Sequence, residues 1–259
     1  DPMVKENGAH RVATWSEALA KTAEKLAPLS GSEIAVVASA RMTNEELFLV
    51  NRLVKQLGAG HVAVVPRMGE ADGYLISADR NPNSNGVKLV LGLDAPGGGL
   101  ERVKSGIEEG RIKAVLCLQE NLVEDGGFSP ELLGKLDFLL ATYPLANPTT
   151  GLADVVLPGA CWAEKSGTMI NVTGRLQRLN KAVDAPGQTM EPWEIVRDLI
   201  QSLGGGNGIY SVTEIFKLLA AEVKAFQGLS WGQIGDLGLP LIETGETIPA
   251  LEREKQRKA

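Results

Sequence analysis

The chain has 259 residues, of which 44% are hydrophobic and 22% charged, with a formal net charge of −6. That profile belongs to an ordinary globular protein with apolar material for one large core or two modest ones. The acidic balance, with no basic stripe interleaved with aromatics, excludes a nucleic-acid surface; no window offers the roughly 20 continuous apolar residues of a membrane span.

Helices and short apolar strands alternate from the start. Thr14-Trp15-Ser16-Glu17 reads as a capping box, which satisfies orphan amides at a helix start. The helix behind it turns Leu19, Ala23 and Leu26 inward and stops at Pro28. Ile34–Ala38 is a strand buried on both faces. A second box, Thr43-Asn44-Glu45-Glu46, opens a helix whose stripe is Leu47, Val50, Leu53, Val54 and Leu57, closed by Gly58. Val62–Val65 is the next strand, and the βαβ unit so formed has parallel strands. Residues 66–86 break the rhythm with dense turn chemistry: Gly69, Asp72-Gly73 and Asn81-Pro82-Asn83-Ser84-Asn85-Gly86. Alternation resumes with a helix near 98–109, a strand at 112–118, a helix near 130–136, and strands at 137–142 and 154–157. A weaker division falls after residue 185, giving an α/β domain over 1–185 and a helical cover and tail over 186–259. In the latter, Pro192 introduces Trp193, Val196, Leu199 and Ile200 at helical spacing. The glycine-rich link Gly204–Gly208 then leads to a third box, Ser211-Val212-Thr213-Glu214.

Catalytic motifs are sparse. Neither the dinucleotide glycine fingerprint nor a P-loop is present. Gly97-Gly98-Gly99 could offer amides to an anion, or serve only as a flexible connection. Cys117 and Cys161 form neither a disulfide framework nor a metal knuckle. Cys117 sits in an apolar run and reads as inert, and such cysteine use fits a reducing compartment. His10 and His61 read as structural, and Asp72 and Asp79 as turn residues. The chain opens at Asp1-Pro2 without an initiator methionine, as expected of a piece of something longer, and no signal-peptide pattern is read there.

The most informative stretch is 153–183, ADVVLPGACWAEKSGTMINVTGRLQRLNKAV. A buried strand runs into Pro158-Gly159, and an irregular polar loop follows with Glu164, Lys165, Thr168, Asn171, Thr173, Arg175 and Gln177. Such a loop at the carboxyl end of a strand is where α/β proteins bind ligands; the alternative is a structural loop whose polar groups satisfy one another.

This stretch resembles the signature near the end of the catalytic region of the molybdopterin oxidoreductase superfamily, and Arg11–Leu19 is similar to the family's "SWDEAL" helix entry. The resemblance implies a doubly wound, mostly parallel α/β fold with C-terminal covering helices. Ala71–Leu75, Asp79–Asn83 with Gly86, and Phe226–Ser230 resemble one branch, the G subunit (the large iron–sulfur subunit) of bacterial NADH:quinone oxidoreductase, respiratory complex I.

Departures from the family pattern shape the functional expectation. Catalytic members hold molybdenum or tungsten through Cys or selenocysteine after the second strand; here Val65–Asp72 carries no thiolate, and Met68 has only a neutral thioether where a soft anionic ligand is needed. The family's Gly-Glu-Asn-Pro turn corresponds to Gln119-Glu120-Asn121-Leu122, so a side chain stands where backbone approaches the pterin nucleotide. A large insert after residue 68 is missing, and no C-x-x-C occurs. The resemblance therefore implies a cofactor-less domain of the G subunit, with no catalytic or metal residues of its own and Glu164, Asn171 and Arg175 hydrogen-bonded to one another. Iron–sulfur clusters would belong to a preceding region. The partners would be other peripheral-arm subunits at the cytoplasmic side of the inner membrane, without nucleic acid or membrane insertion. The alternative is a fragment of a formate-dehydrogenase-like enzyme that binds the pterin dinucleotide through residues 158–177, by Glu164, Thr168, Asn171, Thr173 and Arg175. A further alternative is a free-standing nucleotide-binding protein using the old pocket.

Overall fold

The structure, a computed structural model, describes residues 1–93, 98–206 and 208–258; Gly97 and Asn207 of the two glycine-rich stretches lie outside them. The chain begins with an antiparallel hairpin, β1 (Met3–Glu6) and β2 (Ala9–Val12). Its turn is Asn7-Gly8, both with positive φ (49° and 82°), the chemistry a two-residue hairpin turn requires. The hairpin is absent from the expectations above, although Asn-Gly is a hairpin signal. Helix α1 (Trp15–Leu26) follows its expected cap, but only half of the box forms. Thr14 accepts from Glu17 N, while the Glu17 carboxylate turns to Arg11 instead.

Strand β3 (Ile34–Ala38) is buried throughout. Helix α2 (Asn44–Leu57) has the complete Thr43/Glu46 box and a left-handed Gly58 at its end. Strand β4 (His61–Val64) pairs parallel with β3, and β5 (Ala114–Leu118), β6 (Phe138–Tyr143) and β7 (Val155–Pro158) extend the parallel array on the other side. The seven-stranded order is β2-β1-β7-β6-β5-β3-β4, with the hairpin antiparallel at one edge.

Side chains alternate across this sheet, as period-two geometry demands. Ile34, Val36, Leu116, Leu140 and Leu157 face a core shared with α1, α2 and the helices Pro192–Ser202 and Val212–Glu222. Ala35, Val37, Val115, Leu139 and Ala141 face a second core under helix Leu100–Glu108. Both faces are covered, the doubly wound arrangement. The helix expected near 130–136 is one turn, Pro130–Leu133. Ser211 caps its helix, yet Glu214 bonds the amide of Tyr210, one residue before the expected partner.

The largest correction concerns the stretch expected to be an irregular loop. Residues 167–179 form two antiparallel strands, β8 (Gly167–Ile170) and β9 (Arg175–Leu179), joined to β10 (Leu239–Pro240) in a separate three-stranded sheet. The alternation of Thr168, Ile170, Leu176 and Arg178 was masked by polar residues whose partners lie far away in sequence.

Candidate functional site

The chain leaves β3 toward α2 on one face of the sheet, and leaves β5 toward Leu122 and Phe128 on the other. Between these diverging exits lies the crevice where doubly wound folds place their ligands. In this protein most groups along that edge pair with one another, although Glu46 Oε1 and Arg67 Nε are buried without a partner.

The N-terminal turn of α2 is buried, and its polar side chains reach the small sheet. Lys165 Nζ lies 2.8 Å from Glu46 Oε2, with the two side chains 4% and 0% exposed. Glu46 Oε2 also accepts from Thr43 N, which ties the capping box to the ion pair. Next to it, Glu45 accepts from the backbone N and the hydroxyl of Thr168, each at 2.8 Å. Asn44 Nδ2 donates to Thr168 Oγ1, and Asn83 Nδ2 to both Met42 O and Asn44 Oδ1. Asn83 Oδ1 accepts from Ile170 N, closing a chain that fixes β8 to α2. Burial pushes the Glu45 carboxyl up to about 7, against the lowering effect of the Thr168 bonds. Buried polar networks of this kind hold one geometry when satisfied and are costly when broken.

A second cluster lies after β4 and β5. Arg67 grips Glu120 with two bonds, 2.8 and 2.5 Å, and Asp125 with a third at 2.7 Å. Burial opposes its charge, but the two carboxylates outweigh this and raise the guanidinium pKa. Gln119 has φ of 59°, the left-handed backbone that favours glycine, so the position keeps a glycine's conformation while bearing a side chain. That side chain is 7% exposed. Its amide sits where a Cβ on Gly159 would stand and reaches Thr142 Oγ1. Cys117 is fully buried, its thiol donates to Glu120 O, and burial holds its pKa far above the usual thiol range.

Of the five residues expected to hold a pterin, Asn171, Thr173 and Arg175 meet in the turn between β8 and β9. Glu164 accepts from Cys161 N within its own turn. Thr168 is fully buried beneath Glu45 and Asn44. Asn171 Oδ1 accepts from Thr173 N, Thr173 Oγ1 and Arg175 N, so Asn171 and Thr173 close the β8–β9 turn. The Arg175 guanidinium donates to the carbonyls of Leu237 and Gly238. These side chains are engaged, and of the three expected to bond one another Asn171 and Arg175 do so, through the Arg175 backbone amide, while Glu164 and the Arg175 guanidinium serve nearby backbone. Met68 is 60% exposed, and among the described residues no group of three or more His, Cys, Asp or Glu is disposed to hold a metal. The Gln119 side chain stands over Gly159 at the strand ends, and Met68 offers a neutral thioether, not a thiolate, to a heavy metal.

Sequence reasoning missed Glu45, Glu46, Asn83, Arg67 and Glu120 as the centre of this edge. The signal for Glu46 was read as a helix cap, which it also is. Glu120 was read only as part of the turn matched to the family's Gly-Glu-Asn-Pro motif, and nothing local pairs it with Arg67, 53 positions away.

The molybdopterin oxidoreductase family profile matches residues 1–73 and 80–202. The alpha subunit of F420-dependent formate dehydrogenase 2 of Methanococcus maripaludis is 44% identical over 48% of this chain and 19% of its own length. The alpha subunit of NADPH-Fe(3+) oxidoreductase of Geobacter sulfurreducens is 34% identical over 61% of this chain and 18% of its own. The chain thus spans about a fifth of the length of these curated relatives. Acetylene hydratase from Pelobacter acetylenicus superposes with a TM-score of 0.43 at 17% identity, covering 58% of this chain and 22% of that one. In the described residues no helix is long and apolar enough to cross a membrane.

Proposed function

Since the chain belongs to the molybdopterin oxidoreductase family, we propose that it is an architectural segment of a formate-dehydrogenase-like alpha subunit, an oxidoreductase whose redox chemistry is carried outside these residues. The host is drawn from the relatives, which are named as formate dehydrogenase and NADPH-Fe(3+) oxidoreductase alpha subunits. This replaces the NADH:quinone oxidoreductase branch suggested by residues 71–86 as the first reading. The architectural role rests on one observation: the Gln119 amide occupies the space over Gly159 at the strand ends, while the loop side chains that would grip a pterin are bonded within the protein, to backbone or to other side chains. The segment would present a rigid, doubly wound platform to the rest of its subunit and to the subunits that exchange electrons with it.

The complex I reading rests on the resemblance of residues 71–86 and 226–230 alone. Four-cysteine iron–sulfur spacing in the coding sequence upstream of Asp1 would favour an oxidoreductase subunit of either kind, and a start codon close by a free-standing protein.

Elemental analysis of the purified chain, with a thermal-shift titration against GDP, tests the architectural role. The expected result is neither molybdenum nor tungsten and no GDP-dependent rise in Tm. A metal present at stoichiometric level, or a saturable rise of the kind ligand linkage produces, would return the pterin-binding alternative to first place.

A further inference from the structure

Large apolar side chains stand exposed at the carboxyl end of one half of the seven-stranded sheet. Trp162 opens the short helical turn after β7 and is 71% exposed; Leu145 follows β6 and is 73% exposed. Val12 ends β2 and is 65% exposed. Val183, 54% exposed, is tied to the Trp162 turn by its amide on Ala163 O. The strands concerned are consecutive in the sheet, in the order β2-β1-β7-β6, at the usual spacing of about 4.8 Å. Val12, Met3 and Val156 lie level across the first three. Single exposed hydrophobics are ordinary on a protein surface, but four gathered on adjoining strand ends form a patch, the mark of an interaction surface. None of the four belongs to either core, so the fold itself does not require them to be apolar. The other three tryptophans are buried or half-buried, and tryptophan is the residue type that most often anchors an interface.

The course of the chain says what reaches this patch. Because β1 runs antiparallel to β7, it starts at the carboxyl end of the sheet: Met3 pairs with Val156, and Pro2 O takes the amide of Ala13. The exposed Asp1 therefore stands beside the end of β7, between Val12 and Trp162 along the strand order. A segment joined to Asp1 leaves from within the patch and is held over it at high effective concentration. The other end of the chain is placed differently. The last helix, Pro249–Lys258, starts where Ala250 N bonds Tyr74 O, in the loop after β4, the strand at the far edge of the sheet. The chain spans about a fifth of the length of the alpha subunits to which it is similar, which leaves ample polypeptide in such a host to cover a surface of this size.

We propose that this patch is the docking surface for the polypeptide that precedes Asp1 in the host alpha subunit, with Trp162 as its central anchor and Val12, Leu145 and Val183 around it. The proposal rests on the host reading above and adds to it which part of the subunit the platform carries. The docked segment presents an apolar face of its own to the tryptophan. In the whole alpha subunit, Trp162→p-benzoylphenylalanine puts a photoreactive ring at the anchor, and mass spectrometry identifies the residues joined to it on illumination. The expected cross-links are to residues encoded before Asp1. Cross-links only to residues after Ala259, only within residues 1–259, or none at all, overturn the docking and leave the host reading standing. A coding sequence that starts next to Asp1 overturns both. Hydroxyl-radical footprinting of the unsubstituted proteins is the second measurement and stands even where the variant does not fold. Trp162 and Leu145 should be oxidised at least about tenfold more slowly in the whole subunit than in the 1–259 chain, since an anchor at the centre of an interface is fully desolvated. Equal rates in the two proteins overturn the docking.

Discussion

Glu45 gives the sharpest test of how the α2 turn is held. Its carboxyl is raised from the ordinary 4.5 to about 7 by burial, so below pH 4.5 it is neutral in both folded and unfolded chains. As pH rises from there, the unfolded chain gives up the proton first and the folded chain holds it. Stability is therefore lost progressively and the loss is complete once pH passes about 7. At about 1.4 kcal/mol per pH unit, this interval is worth on the order of 3 kcal/mol. Glu45→Gln keeps the size of the side chain and its acceptor for Thr168 N, and removes the titration. Urea unfolding of wild type and variant at half-unit steps from pH 4.5 to 8.5 reads the difference directly, since every other titrating group cancels. The variant should differ from wild type by a small constant at pH 4.5 and gain about 3 kcal/mol on it by pH 8. A difference that stays flat across this range, or that favours wild type increasingly as pH rises, would refute the reasoning.

Three further perturbations probe the same framework. Lys165→Met removes one half of a buried ion pair and should cost about 3–5 kcal/mol in chemical denaturation; adding Glu46→Gln should recover more than half of it, a coupling that a double-mutant cycle measures. Gly174 has φ of 81°, and a methyl there would collide with the Ile242 carbonyl. Gly174→Ala should cost at least about 2 kcal/mol, with limited proteolysis cutting the C-terminal segment first. A methyl on Gly159 would meet the buried Gln119 amide, and Gly159→Ala should cost at least about 1 kcal/mol in chemical denaturation.

Much of the scaffold was legible because it is written locally. The Thr43/Glu46 box, the stripe from Leu47 to Leu57 and Gly58 specify α2 through neighbours three and four residues apart, and that helix was expected almost to the residue. The runs Ile34–Ala38 and Ala114–Leu118 declare strands buried on both faces, from which a parallel sheet covered on both sides follows. Short elements fared worse. Pro130–Leu133 is too brief for a periodic pattern, and β10 has only two residues.

By itself, then, the sequence determined the doubly wound scaffold and the family, since both are carried by local periodicity and contiguous motifs. Only the tertiary structure decided what the polar residues do. Glu45 and Thr168 are 123 positions apart, and Lys165 and Glu46 119. A carboxylate that caps a helix in water and one that clamps a buried sheet have the same local sequence. Their difference is desolvation, which depends on what folds over them.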